Sequence, residues 1–141
     1  MGVVERVVRW ARRKSPWVLH FNSGGCNGCD IEIVDMLTPR YDIERLGILK
    51  EASPRHADVL LCTGPVTRQS RLRLRRIFEQ IPAPKWVVAV GSCGCSGGVF
   101  HDGYNVLGGI DQVLPVDLYI PGCPCRPEAI IAGVLRLLEE V

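Results

Sequence analysis

The chain has 141 residues, 17 Lys and Arg against 15 Asp and Glu, and 47% hydrophobic residues. This is one domain's length, and the mix excludes a disordered chain, a fibrous repeat and a nucleic-acid binder resting on net charge. The anomaly is cysteine, at 7 residues an odd and high count.

Residues 4–13 set Val4, Val7, Val8 and Ala11 at helical spacing with arginines on the other face, the pattern of a short basic amphipathic helix. Two roles fit it: capping the domain, or docking onto an acidic partner or a membrane surface. Four short apolar runs follow, Trp17–Phe21, Asp58–Cys62, Lys85–Val90 and Asp117–Ile120, each ending in a Gly- or Pro-rich turn. Such near-continuous apolar character predicts strands buried on both faces, as in a parallel sheet. Helical patterns lie at Asp30–Leu37, Thr67–Gln80 and Pro127–Glu140. The last has Pro127 near its start and Glu128 at the positive end of its dipole. Alternating strands and helices predict an α/β domain with about four strands. The expected organisation is an N-terminal helix over 1–14 and a single α/β domain over 15–141. The arginines at 68, 71, 73, 75 and 76 lack interleaved aromatics, so a solvated or partner-facing helix face is expected there and no nucleic-acid partner.

The longest apolar runs, Val59–Cys62 and Trp86–Val90, fall far short of the roughly 18 residues of a membrane span. The charged N-terminal stretch has no continuous apolar segment and does not read as a secretory signal. A reducing compartment is therefore expected, where cysteines bind metal, carry out redox chemistry or pack as small hydrophobes.

The cysteines fall just past the predicted strands: Cys26 and Cys29 in GGCNGCD, Cys62 ending the second strand, Cys93 and Cys95 in GSCGCSGG, Cys123 and Cys125 in PGCPCRPE. Ligands of open parallel sheets bind beyond the carboxyl ends of the strands, so these loops converge on one edge. Their glycines let backbone approach a bulky object closely, and freed N–H groups can donate to inorganic sulfide or other anions. Four thiolates, from Cys26, Cys29, Cys93 and Cys123, suit a cubane 4Fe–4S cluster in which each iron takes one cysteine. Spacing alone leaves a zinc site and a Cys26/Cys29 thiol redox pair open. Cys62 reads as a buried hydrophobe.

Taken together and in order, GGCNGCDIEI, TGPVTRQ, GSCGCSGGVF and PVDLYIPGCPCRPEAI resemble the small, cluster-bearing subunit of energy-converting membrane-bound nickel–iron hydrogenases, related to the 20 kDa subunit of respiratory complex I. The resemblance covers about residues 15–140. It implies a flavodoxin-like open parallel sheet flanked by helices, and one 4Fe–4S cluster on Cys26, Cys29, Cys93 and Cys123. It also implies a nickel–iron large subunit as partner, a ferredoxin-like cluster-bearing subunit as electron source, and membrane subunits that couple the reaction to ion pumping. The chain would be an electron carrier, peripheral on the cytoplasmic side, serving an oxidoreductase that reduces protons to hydrogen. The CxxC at Cys26 and Cys29 resembles the hydrogenase branch, since complex I relatives usually carry adjacent cysteines there. Cys125 stands where the family usually has a second proline, and Cys95 is a further thiol beside a presumed ligand; either would be a neighbour tuning the cluster or a passive one.

Around these cysteines, Glu32 is read as a proton relay or an ion-pair partner at the large-subunit interface. Arg68 and Arg126 are read as positive charges near the cluster or as interface ion pairs. His101 falls in the same region, and His20 and His56 read as structural. Rival functions are the equivalent subunit of a sulfane reductase or a complex I relative, a zinc-stabilised interaction module, and a thiol oxidoreductase.

Overall fold

The computed structural model describes residues 2–140; Met1 and Val141, the outer ends of the two expected units, lie outside the described residues. The elements run α1 (Val3–Lys14), β1 (Trp17–Asn22), α2 (Gly28–Asp35), β2 (Leu49–Lys50), β3 (Val59–Thr63), β4 (Val66–Thr67), α3 (Arg71–Gln80), β5 (Trp86–Val90), α4 (Gly91–Ser96), β6 (Val106–Gly108), β7 (Leu118–Ile120) and α5 (Pro127–Glu140).

The main sheet has five strands in the order β2-β1-β3-β5-β7, all parallel. Numbered among themselves these strands run 2-1-3-4-5, the flavodoxin order. The expectation of about four strands missed β2, which is two exposed residues, Leu49 and Lys50, pairing with the start of β1. An edge strand of that length carries no apolar run to reveal it. The central strands β3 and β5 are buried at every position, and their alternation sorts side chains into two cores. Val59, Leu61, Val88 and Val90 face Ile33 of α2 and Ile130, Val134 and Leu137 of α5. Leu60, Cys62, Val87 and Ala89 face Leu74 of α3 and Ile110. The result is a three-layer α/β/α sandwich, the arrangement a sheet that is apolar on both faces requires.

Two helices differ from expectation. The expected helix from Thr67 starts only at Arg71. Thr67 pairs with Val106 in a small antiparallel sheet, and hydroxyls take over the backbone that a helix would have used. The Thr67 N–H donates to Ser70 Oγ at 3.1 Å and the Ser70 N–H to Thr67 Oγ1 at 3.2 Å, the local competition that disfavours Ser and Thr inside a helix and favours them at caps and turns. GSCGCSGG, expected as a turn, forms the short helix α4, ended by Gly97 at φ +90°. α5 spans Pro127–Glu140 as the sequence predicts.

α1 does not cap a core: none of its residues is buried. Its arginine side holds it to the body. Arg12 Nε pairs with Asp58 Oδ1 at 2.9 Å, Arg12 Nη1 donates to the Pro84 carbonyl at 2.9 Å, and Arg13 Nη2 donates to the Glu139 carbonyl at 3.2 Å. Among the described residues no helix is long and apolar enough to cross a membrane. The expected arginine face on α3 is exposed, with Arg75 weakly paired to Glu79 at 3.8 Å.

Candidate metal centre

The sheet reverses its strand order between β1 and β3, which opens a crevice at their carboxyl ends. Into it run the loop after β1 with Cys26 and Cys29, the turn Thr63–Gly64 after β3, and α4 after β5 with Cys93. These three cysteines line one cleft with Asn22, Asp30 and Thr63. Cys123, in the loop after β7, lies within electrostatic reach of both Cys29 and Cys93. The structure thus gathers the four cysteines singled out from sequence at one sheet edge.

Helix geometry separates Cys93 from Cys95. Two residues along a helix means about 200° of rotation, so the pair points to opposite sides. Cys93 faces the cleft, whereas Cys95 packs against the second core, its thiol 3.7 Å from the Ala89 carbonyl. Cys123 and Cys125 divide the same way: Cys123 is exposed and Cys125 is buried in the first core. Cys62 is fully buried, as expected, and burial pushes its thiol far above the ordinary range.

Backbone shape at the sulfurs matches the glycine content. Gly91 has φ +82°, and a Cβ there would lie 2.5 Å from Cys29 Sγ. A Cβ on Gly98, at φ +54°, would lie 3.0 Å from Cys93 Sγ. Both positions therefore need glycine for conformation and for room.

The electrostatics are those of crowded thiols. Burial is the first cause raising Cys29 and Cys93, and neighbours add to it: Cys26 and Cys123 on Cys29, and Cys123, Cys26 and Cys29 on Cys93. Backbone N–H groups pull the other way, from Cys125 onto Cys29 and from Val99 onto Cys93. Cys125 itself is pushed up to about 11, by burial first and then by Cys29, Cys95 and Glu32. Crowded sulfurs, two of them with N–H donors, suit a bound cationic centre that displaces the thiol protons. Among the described residues, no three His, Cys, Asp or Glu side chains close on a point as ligands of one ion would. Four sulfurs around a single zinc, each at about 2.3 Å, would stand only about 3.8 Å apart. A cubane instead spreads its thiolates over four irons.

Sequence reasoning missed the side chains that hold the loop. Asn22, closing β1, accepts the N–H groups of Gly24 and Gly25 on its Oδ1 at 2.8 and 2.7 Å, and donates from Nδ2 to Asn27 Oδ1 at 3.1 Å and to Asp30 Oδ2. Asp30, next to Cys29, also accepts from His20 Nε2 at 2.9 Å and Thr63 Oγ1 at 2.5 Å on its other oxygen. Buried Ser23 places its Oγ 2.9 Å from the carbonyls of Thr63 and Gly64. No buried side-chain nitrogen or oxygen among the described residues lacks a partner. His20, read as structural, belongs to this brace, and burial lowers its pKa, ahead of the opposing pull of Asp30. An Asn before Gly-Gly at a strand end was the available signal, since such an Asn commonly bonds the backbone two residues on.

The remaining singled-out residues sit around this edge. Glu32 is half-buried on α2 and close enough to raise Cys125. Arg68 and Arg126 are exposed. His101 donates from Nδ1 to the Gly98 carbonyl at 2.8 Å, beside the Cys93 loop. His56 lies outside the site, its ring 6.1 Å from that of Trp17. Large apolar side chains stand exposed at the same edge: Ile31 on α2, and Val99 and Phe100 after α4.

Comparison with known proteins agrees with this geometry. The profile of the family described as NADH ubiquinone oxidoreductase, 20 Kd subunit, matches residues 26–137. The chain is 55% identical to the probable membrane-bound hydrogenase subunit mbhJ of Pyrococcus furiosus, over 91% of this chain and 77% of the relative. It is 46% identical to an NADH-quinone oxidoreductase subunit of Citrifermentans bemidjiense, over 98% of this chain and 79% of the relative. Among solved structures, a chain of the membrane-bound sulfane sulfur reductase, an archaeal respiratory membrane complex, superposes with a TM-score of 0.83 at 43% identity, covering 96% of this chain and 75% of that one.

Proposed function

Because the chain belongs to the NADH ubiquinone oxidoreductase 20 Kd subunit family, we propose that it is the electron-transfer subunit of a ferredoxin-dependent, membrane-bound nickel–iron hydrogenase complex. Its relatives are subunits of membrane-bound oxidoreductase complexes, which makes it a component of an enzyme rather than an enzyme alone. The observation that carries the reading is the gathering of Cys26, Cys29, Cys93 and Cys123 at the switch point of the sheet, beside two glycines that leave room for a bulky group. These four would hold one 4Fe–4S cluster, whose chemistry is the storage and transfer of single electrons.

The residues of this chain do the positioning. Gly91 and Gly98 leave the space, the N–H groups of Cys125 and Val99 offset charge on two sulfurs, and Asn22 and Asp30 fix the loop between Cys26 and Cys29. The exposed edge formed by Ile31, Val99 and Phe100 faces the large subunit and keeps water from the electron path once covered. Electrons would reach this edge from reduced ferredoxin through a cluster-bearing partner and leave to a nickel–iron centre in the large subunit, on the cytoplasmic face of the membrane. Identity of 55% to a hydrogenase subunit, against 43–46% to the reductase and quinone-linked relatives, favours hydrogen production.

A second reading, supported by the superposition on the sulfane sulfur reductase, keeps the cluster and changes the partner's chemistry. Isolating the intact complex through a tag on this chain separates the two. The hydrogenase reading predicts nickel in the complex and hydrogen evolution from reduced ferredoxin. A nickel-free complex that reduces sulfane sulfur would overturn it.

A further inference from the structure

α1 is held to the protein by the wrong face for a core helix. Two of its arginines reach inward, Arg12 to Asp58 and Pro84 and Arg13 to Glu139, while Val3, Val4, Val7, Val8 and Trp10 stand in solvent, Val4 at 75% and Trp10 at 63% exposure. At 100° per residue these side chains and Ala11 fill an arc of about 160°, interrupted only by Lys14 at the last position of the helix. A water-soluble surface rarely spends an entire helix face this way.

The charges around that arc are mainly positive. The only acidic residue of α1, Glu5, is engaged in accepting the Gly2 N–H at 3.0 Å. Arg6, Arg9, Arg13 and Lys14 line an open groove between α1 and α5, with Trp10 at its lip and Glu139 as the one carboxylate. A valine and tryptophan face rimmed by arginine and lysine is the pattern of a helix lying in a bilayer interface. There the apolar side enters the acyl boundary, the indole sits at headgroup depth, and the cations meet lipid phosphates.

We propose that α1 docks this chain onto an anionic lipid surface, with Val3, Val4, Val7, Val8 and Trp10 immersed and Arg6, Arg9 and Lys14 on the phosphates. Lipid rather than a protein groove is favoured because the face is valine and tryptophan, and Arg6, Arg9, Arg13 and Lys14 line the groove beside it, a charge complementary to lipid phosphates. α1 enters β1 at the amino end of the sheet, and the cysteines lie past its carboxyl end. β1 is six residues long, which separates lipid and metal edges by about 20 Å at 3.3 Å per residue. The inference does not depend on what the cysteines hold.

The test uses the purified full-length chain with mixed phosphatidylglycerol–phosphatidylcholine vesicles, and with phosphatidylcholine vesicles alone. The expected result is co-sedimentation with the anionic vesicles, weakened by salt, and a blue shift of Trp10 emission that Trp10→Phe removes. The double variant Val4→Asp with Val7→Asp should lower the partition coefficient by more than about tenfold while keeping the far-UV circular dichroism of the wild type. Leu72→Asp, at an exposed leucine of α3, should bind as the wild type does. Retained binding in the double variant, or no binding by the wild type, overturns the proposal. So does a valine-dependent dimer in place of vesicle binding. In the intact complex, a photoreactive residue at position 10 should label lipid, and capture of a polypeptide would overturn the lipid assignment.

Discussion

Asn22 braces the loop that carries Cys26 and Cys29. One carboxamide accepts two consecutive backbone N–H groups, those of Gly24 and Gly25, and its amide end reaches Asn27 and Asp30. It thereby fixes both ends of the Cys26–Cys29 loop to the end of β1. Asn22→Ala would remove these bonds from exposed and half-buried groups, at about 0.5–1.5 kcal/mol for each bond lost. The expected outcome is a lower denaturation midpoint and less iron bound per chain after reconstitution, with Cys26 and Cys29 intact. Full loading in the variant would show that the loop holds itself. The bonds of Asn22 join residues that are close in sequence, so the Asn-Ser-Gly-Gly signal was legible. The links from Asp30 to His20 and Thr63 were not, because they form only when β1 and β3 pair side by side.

At the scale of elements, the sequence was most readable where burial was most complete. β3 and β5, buried throughout, announce themselves as apolar runs, and α5 by its helical spacing and leading proline. What failed were elements set by local hydrogen bonding or by an edge: β2, two exposed residues, the Thr67–Ser70 turn, and α4. α4 breaks the expectation of a glycine-rich turn because Gly91 supplies the positive φ that bends the chain out of β5 into a helix. That helix is what sends Cys93 and Cys95 to opposite sides, a distinction the CxC spacing alone could not give. Gly91→Ala strains a left-handed position and drives a methyl to 2.5 Å from Cys29 Sγ. Strain of this kind costs on the order of 1–3 kcal/mol. The expected result is loss of visible iron–sulfur absorption on reconstitution, with most secondary structure kept by circular dichroism; an unchanged absorption spectrum would contradict the crowding seen at Cys29.

For the whole molecule, the flavodoxin strand order decides where chemistry is possible. It opens a crevice at the carboxyl ends of β1 and β3, and the loops that end there are the ones rich in cysteine and glycine. The opposite end carries α1 and its exposed valines, so one small sheet separates the cysteine edge from a candidate lipid edge. Burial, with neighbouring thiols adding to it, makes Cys29 and Cys93 costly to ionise on their own, a cost that a bound cationic cluster would offset. The claim at the centre of this account is that Cys26, Cys29, Cys93 and Cys123, and not Cys95 or Cys125, hold a single 4Fe–4S cluster. It is tested most directly by the EPR spectrum of the dithionite-reduced protein in paired serine variants. Cys93→Ser should abolish or reshape the reduced-cluster signal, and Cys95→Ser should leave it as in the wild type. An unchanged spectrum in Cys93→Ser with loss in Cys95→Ser would contradict the account.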